Sequence, residues 1–300
     1  MLASFTVVFG PSGHGKSTDM AATFCNGLFV CRPGGMQSAS SFLGINVAEA
    51  HVRTLEEVLS LIPQAKDLGH DAIVVDDLSL VAESTSRDLD AARFGGNNKF
   101  ARFDRLNALT ASLREQGRYA GIHFAANAHE RASGLDSNQR LRPGGPKLPS
   151  WNMSESIVHE ASLVLRATHD TESQMPWKGV YDRSNGPWMG KDRHSVTAER
   201  NPQNLRAILS AAGYTLPRPN GLEWQDEVVS HIRTQLAAGE DRTALIQTSW
   251  DRLTVRGGLD PRHVAWALRD ALATFDLAAS TEGRWLQLFT PLEAGKSASF

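Results

Sequence analysis

A chain of 300 residues with 41% apolar side chains is long enough to bury a sizeable core, as one large domain or about two smaller ones. A net charge of -2 excludes a uniformly basic nucleic-acid coat but allows a local basic patch. Ordinary Gly, Pro and charged contents exclude wholesale disorder.

Residues 4–9 are β-branched and aromatic and read as a buried strand. They lack the basic flank of a signal peptide, and no stretch approaches the length of a membrane span. Residues 10–15 read as a turn, 16–26 as a helix and 27–31 as a second strand, which Arg32-Pro33-Gly34-Gly35 ends. Cys25 and Cys31 are too few for a disulfide framework, and their spacing shows neither a second pair nor nearby histidines for zinc. They read as reduced thiols, which suits a cytoplasm.

A short strand is expected within 45–52 and a helix over 54–68, opened by a capping box of Thr54 and Glu57. Residues 71–75 form a strand delivering Asp76-Asp77. The polar stretch 84–98 reads as a loop around Gly95-Gly96, 100–116 as a helix ended by Gly117, and 119–126 as a strand. Residues 131–149 are a long Gly-, Pro- and Arg-rich segment, and a loop of that length is usually functional. A strand over 161–167, a hairpin over 179–188 and a helix over 202–212 with Pro202 in its first turn follow. The stretch 216–221 reads as a linker between a core (1–216) and a helical region (217–300), with helices over 222–236, 243–253 and 261–275 and a frayed tail over 294–300. Strands alternating with helices imply an α/β fold with a mostly parallel sheet.

Gly10-Pro11-Ser12-Gly13-His14-Gly15-Lys16-Ser17-Thr18 fits the P-loop pattern between a strand and a helix. Glycines let the main chain approach phosphates, and the helix start presents N–H groups to them. Lys16 would bridge the β- and γ-phosphates of ATP, and Ser17 would ligate Mg²⁺. Asp76 completes the metal shell from its strand end. Asp77 is either a water-polarising base or a cap residue. Asn127 and His129, at the polar end of another strand, are placed to sense the γ-phosphate.

Together these residues resemble the RecA-like ATPases of bacteriophages, often described as phage nucleotide-binding proteins, some of them recombinases linked to single-strand annealing. The resemblance spans residues 4–209 and also rests on Trp188-Met189-Gly190-Lys191-Asp192-Arg193 and on Asn201-Pro202-Gln203-Asn204-Leu205. It implies a RecA-like P-loop core, ATP and Mg²⁺, DNA-dependent ATPase activity, and assembly of like subunits into a ring or filament. It also implies single-stranded DNA as a partner, with a single-strand-binding or other replication or recombination protein as a further one, in a bacterial host cytoplasm. Lys191 and Arg193 would act in trans on a neighbour's γ-phosphate. The sequence departs from the family where a glutamate usually follows the second core strand. Asp77 or Glu49 would then serve as the base, or hydrolysis would be slow.

In such folds the loops after the Asp76 strand and after the sensor strand hold DNA. From residue 87 to 147 there are eleven Lys or Arg against six acids, an excess of five. Lys99, Arg131, Arg140, Arg142 and Lys147 are the expected phosphate contacts, and Phe94, Phe100 and Phe103 could stack on bases. Two rival readings stay open: a small-molecule kinase with Arg131, Arg140 and Arg142 in a lid, and a nucleotide-gated assembly or DNA-packaging component with little turnover.

Overall fold

The computed structural model describes residues 3–96, 98, 100–135, 139–169, 179–183, 188–198 and 200–273. Phe5–Phe9 (β1) is buried along its whole length, as its unbroken apolar run requires of a strand covered on both faces. After it come Lys16–Thr23 (α1), Gly27–Cys31 (β2), Gln37–Leu43 (α2), Ala48–Ala50 (β3), Leu55–Asp67 (α3), Ala72–Asp76 (β4), Leu78–Ala91 (α4), Ala101–Ala120 (α5) and His123–Ala128 (β5). Four two-residue strands follow: Glu130–Arg131 (β6), Gly134–Leu135 (β7), Leu141–Arg142 (β8) and Gly145–Pro146 (β9). Trp151–Glu160 (α6), Leu163–His169 (β10), Gly179–Asp182 (β11), Lys191–Asp192 (β12), Arg200–Pro202 (β13) and Leu205–Ala211 (α7) complete the core. The C-terminal region holds Trp224–Ala237 (α8), Arg242–Trp250 (α9), a π-helical stretch Asp251–Arg256, and Pro261–Ala273 (α10).

Among the described residues the main sheet runs β13-β11-β10-β1-β5-β4-β2-β3, with β12 also paired to β10. The pairings from β10 across to β3 are parallel, and β11, β12 and β13 add antiparallel edges. This is the expected α/β architecture, with a mostly parallel sheet and a helical C-terminal region. One face of the sheet packs against apolar residues of α3, α4, α5 and α6, including Leu55, Ile62, Leu78, Leu109 and Ile157. The other face packs against α1, α2 and α7, and Trp266 of α10 joins that cluster. A third cluster, with Val229, Ile232, Ile246 and Leu268, binds the C-terminal helices to one another.

Several boundaries differ from the sequence reading. The polar stretch expected as a loop over 84–98 is mostly helix: α4 buries Leu78, Val81, Ala82 and Thr85 at helical spacing, and its polar residues form the outer face. Gly117 does not end α5. It is buried inside the helix, where a Cβ would lie 3.4 Å from the Phe124 Cβ, and Gly121 with φ +70° is the actual stop. Tyr119 is therefore helical and exposed, and β5 begins only at His123. Pro202 ends the strand β13, and α7 starts after Asn204, whose side chain caps the Ala207 amide at 3.1 Å. Helices α2 and α6 have no counterpart in the sequence reading. The hairpin expected over 179–188 is in part outside the described residues; β11 pairs with β10 and β13, and Trp188 bridges to Gly144. The tail over 294–300 lies outside the described residues.

The stretch expected as a linker is fastened down. Arg206 donates to the carbonyls of Leu216 (2.6 Å) and Pro217 (2.9 Å), and Arg218 pairs with Asp226 (2.8 Å) and Asp270 (2.7 Å).

Candidate active site

Parallel pairing brings three strand ends to one edge. The register runs Phe9↔Ala128 between β1 and β5 and Val75↔Ala126 between β5 and β4. The segments after Phe9, Ala128 and Val75 therefore lie side by side, with the β5 end between the other two. At about 4.8 Å per strand, the ends of β1 and β4 are about 10 Å apart.

The P-loop occupies the first of these ends. Gly10 donates its amide to Ala128 O at 3.2 Å, and a Cβ there would lie 2.3 Å from Ala167 O. Gly13 and Gly15 have φ +80° and +72°, a region that glycine enters without penalty. Gly15 stands at the N-cap of α1 and offers no side-chain cap, so the leading N–H groups of the helix point out of the loop. Ser12 is exposed, and Ser17 and Thr18 sit half-buried in the first turn. His14 O accepts a hydrogen bond from Gln203 Nε2 at 2.7 Å. The Lys16 ammonium donates to Gly10 O (2.9 Å) and Pro11 O (2.7 Å). Burial lowers the Lys16 pKa, and the negative charges of Asp76, Asp77 and Glu130 oppose that shift.

Asp76 is half-buried at the end of β4. Asp77 caps α4: its Oδ1 accepts from the amides of Ser79 (2.5 Å) and Leu80 (3.2 Å). Its Oδ2 lies 2.7 Å from His129 Nε2. Burial pushes the Asp77 carboxyl above its ordinary value, against the pull of His129 and of the two amides. The His129 ring is the more exposed partner, at 40% against 15%. Asn127 is fully buried, and neither of its amide atoms has a hydrogen-bond partner. Such an orphaned group beside a phosphate-type loop marks a place for a polar ligand or water. The uncapped α1 start, the open space beside Gly13, and the oxygen donors Ser17 and Asp76 suit a hard cation with phosphates.

Residues that sequence reasoning missed surround this edge. Glu130 pairs with Arg166 Nε at 3.1 Å, and the Arg166 guanidinium stacks 3.8 Å from the Trp188 ring centroid. Arg166 is level with Phe9, next to the P-loop, in the β1–β10 register. On the buried side of α1, Asp19 accepts from Tyr181 Oη (2.5 Å), the Leu205 amide (2.9 Å) and Arg269 Nη2 (2.5 Å). These partners lie 162 to 250 residues from Asp19, so no local pattern signals them.

Other expected site residues lie elsewhere. Lys191 and Arg193 follow the start of β10, away from the P-loop edge, and their heads donate to the carbonyls ending α6: His159 O for both, and Ala161 O for Arg193 at 3.1 Å. Glu49 is on β3, four strand steps from β1, about 19 Å along the edge. It accepts from the amides of Gly34 and Met36 at 3.2 Å each, beside Cys31, whose thiol is pushed up to about 12 by burial and then by Glu49. Glu49 is thus not brought to the P-loop as a base.

Where a long loop was expected, the described residues of 130–146 form two small ladders, β6–β9 and β7–β8. Arg140 in this segment and Lys147 just after it are exposed. Arg142 pairs with Glu155 at 3.2 Å; Arg131 donates to Leu148 O and lies 4.8 Å from the Trp151 ring centroid. Lys99 lies outside the described residues. Arg105 and Arg114 pair with Glu56 and Glu160, and with Glu155 these are acids outside the 87–147 window. The fold thus offsets part of the positive excess counted along the sequence.

No family model matches the chain, and none of the curated proteins matches it. Among solved structures it is similar to a KaiC-like protein of the hyperthermophilic archaeon Pyrococcus horikoshii OT3. The identity is 14%, over 67% of this chain and 87% of that one, with a TM-score of 0.40. No helix among the described residues is long and apolar enough to cross a membrane.

Proposed function

We propose that this chain binds ATP with Mg²⁺ at the P-loop edge and hydrolyses it, as a RecA-like ATPase that assembles with its own copies and acts on single-stranded DNA. The observation that carries the reading is the convergence of Lys16, Asp76, Asp77, Asn127 and His129 on three neighbouring parallel strand ends. Lys16 would leave its loop carbonyls for phosphate oxygens, and the amides opening α1 would hold the phosphates. Ser17 and Asp76 would hold Mg²⁺. The metal, when bound, neutralises charge that develops on the phosphoryl oxygens. Asp77 is tied to two amides and to His129, so His129 is the group we assign to orient water, with Asp77 positioning it.

The exposed Arg140 and Lys147, and the exposed Phe94 and Phe100, support a single-strand partner. Lys191 and Arg193 remain our proposal for groups reaching a neighbouring subunit.

The test is steady-state ATP hydrolysis with and without single-stranded DNA, with Lys16→Ala as the blank. Hydrolysis lost in Lys16→Ala and raised by DNA is the expected result. Hydrolysis unaffected by DNA would remove the DNA-dependent part of the reading. Equal rates in the wild type and in Lys16→Ala would remove the whole.

A further inference from the structure

At the far side of the same edge, Cys31, Glu49 and His51 each offer a ligand atom, and the three atoms lie within 4.8 Å of one another. The parallel β2–β3 register explains the grouping. Phe29 pairs with Glu49 and Val30 with Ala50, so one further step sets Cys31 opposite His51. Side chains alternate along a strand, so Cys31, Glu49 and His51 project from one face. Along the chain the cysteine and histidine are 20 residues apart, outside any familiar zinc spacing, which is why the sequence reading discounted zinc.

We propose that Cys31, Glu49 and His51 form a binding site for a divalent transition metal of the zinc class. The donor set is thiolate, imidazole and carboxylate, which suits zinc and its neighbours and is unlike the all-oxygen shells of magnesium or calcium. Zinc bonds of about 2.0–2.3 Å set neighbouring ligand atoms about 3.3–3.8 Å apart on a tetrahedron. His51 Nε2 and Glu49 Oε2 already stand 3.9 Å apart, so small side-chain rotations close the shell.

The surroundings fix the donors as a metal site requires. His51 Nδ1 is 3.0 Å from Cys31 O; as an N–H donor there, it leaves Nε2 with its lone pair toward Glu49. The amides of Gly34 and Met36 hold the Glu49 oxygens. At Gly35 a Cβ would lie 3.4 Å from Cys31 Sγ and 2.9 Å from Arg32 O, so glycine lets this loop fold closely over the thiol. Three protein ligands leave a fourth position for water, and the His51 side chain is 46% exposed, so solvent reaches the site. Cys31 is level with Asp76 in the β2–β4 register, so the metal would sit one strand away from the Mg²⁺ side of the proposed ATP site.

The experiment is titration of chelator-treated full-length protein with Co²⁺ in excess Mg²⁺, followed by Zn²⁺. The near-ultraviolet thiolate-to-cobalt absorption reports only a sulfur-ligated ion, so Co²⁺ at Asp76 is silent in it. The expected result is a band that saturates at about one equivalent and that Zn²⁺ removes. The band should vanish in Cys31→Ser and persist in Cys25→Ser, and His51→Ala should weaken binding at least roughly tenfold. No band in the wild type, or a band that survives Cys31→Ser, overturns the proposal. If Cys31→Ser does not fold, His51→Ala decides, since it alters a part-exposed ring: unchanged affinity there is equally fatal. The readout is independent of ATP, so the metal site and the ATPase reading stand or fall separately.

Discussion

Both carboxylate oxygens of Asp77 are engaged, one by the α4 amides and one by His129. An asparagine can keep the cap through its amide oxygen but cannot offer His129 a negative charge. Asp77→Asn should therefore melt close to the wild type and lower kcat at least tenfold with KM little changed, whereas Asp77→Ala should also lose about 1–2 kcal/mol from the missing cap. Urea melts beside ATPase kinetics distinguish the two, and unchanged turnover in Asp77→Asn would remove the dyad. Asp192 yields a pH prediction. Burial raises its pKa, but hydrogen bonds from the Thr197 hydroxyl and amide (2.7 Å each) and the His194 amide (2.9 Å) outweigh that and hold it below the ordinary value. A carboxyl depressed in the folded state contributes stability above its unfolded pKa, and loses it as pH falls through the folded pKa. Asp192→Asn should cost about 1–3 kcal/mol at neutral pH, and the gap to the wild type should narrow below about pH 4. A gap in melting temperature that is constant with pH would contradict this assignment.

At the scale of elements, Gly117 shows why a helix end is hard to read from composition. A glycine after a periodic run reads as a stop, yet here it sits inside α5 against Phe124. Its φ is not in the left-handed region, and an added Cβ would make ordinary contact at 3.4 Å. The usual cost of glycine in a helix then dominates, so Gly117→Ala should stabilise the protein by about 0.5–1 kcal/mol. A lower melting temperature would show that α5 and β5 are packed too closely for a methyl group. Strands β1, β2 and β4 were legible because central strands leave long apolar runs, and α3 because Thr54 and Glu57 form the capping box that the sequence implies. Helices α2 and α6 bury only a few small or apolar residues each, among them Ala39, Leu43, Met153 and Ile157, so their periodicity is faint. The P-loop was legible because it is contiguous. Glu130 with Arg166, and Cys31 with His51, were not, because the strand order brings each pair together.

At the scale of the molecule, an ion pair ties the C-terminal helices to the P-loop helix α1. Arg269 of α10 reaches Asp19 on the P-loop helix at 2.5 Å and also donates to Gln203 O. Gln203 in turn holds His14 O. The Asp19 side chain is 4% exposed, so the carboxylate depends on its partners. Removing Arg269 would leave Tyr181 Oη and the Leu205 amide to stabilise a buried negative charge. Breaking such a pair from one side costs roughly 3 kcal/mol. The loss should appear in one cooperative transition, since Trp266 packs into the core cluster and Arg218 joins the 216–221 stretch to α10 through Asp270. The same variant should bind ATP more weakly, because the α1 start that would hold the phosphates is no longer braced from beneath. Calorimetry and nucleotide titration of Arg269→Ala test both parts. A separate early transition for the C-terminal helices, with nucleotide affinity intact, would mean that the region is an independent appendage rather than a buttress of the P-loop.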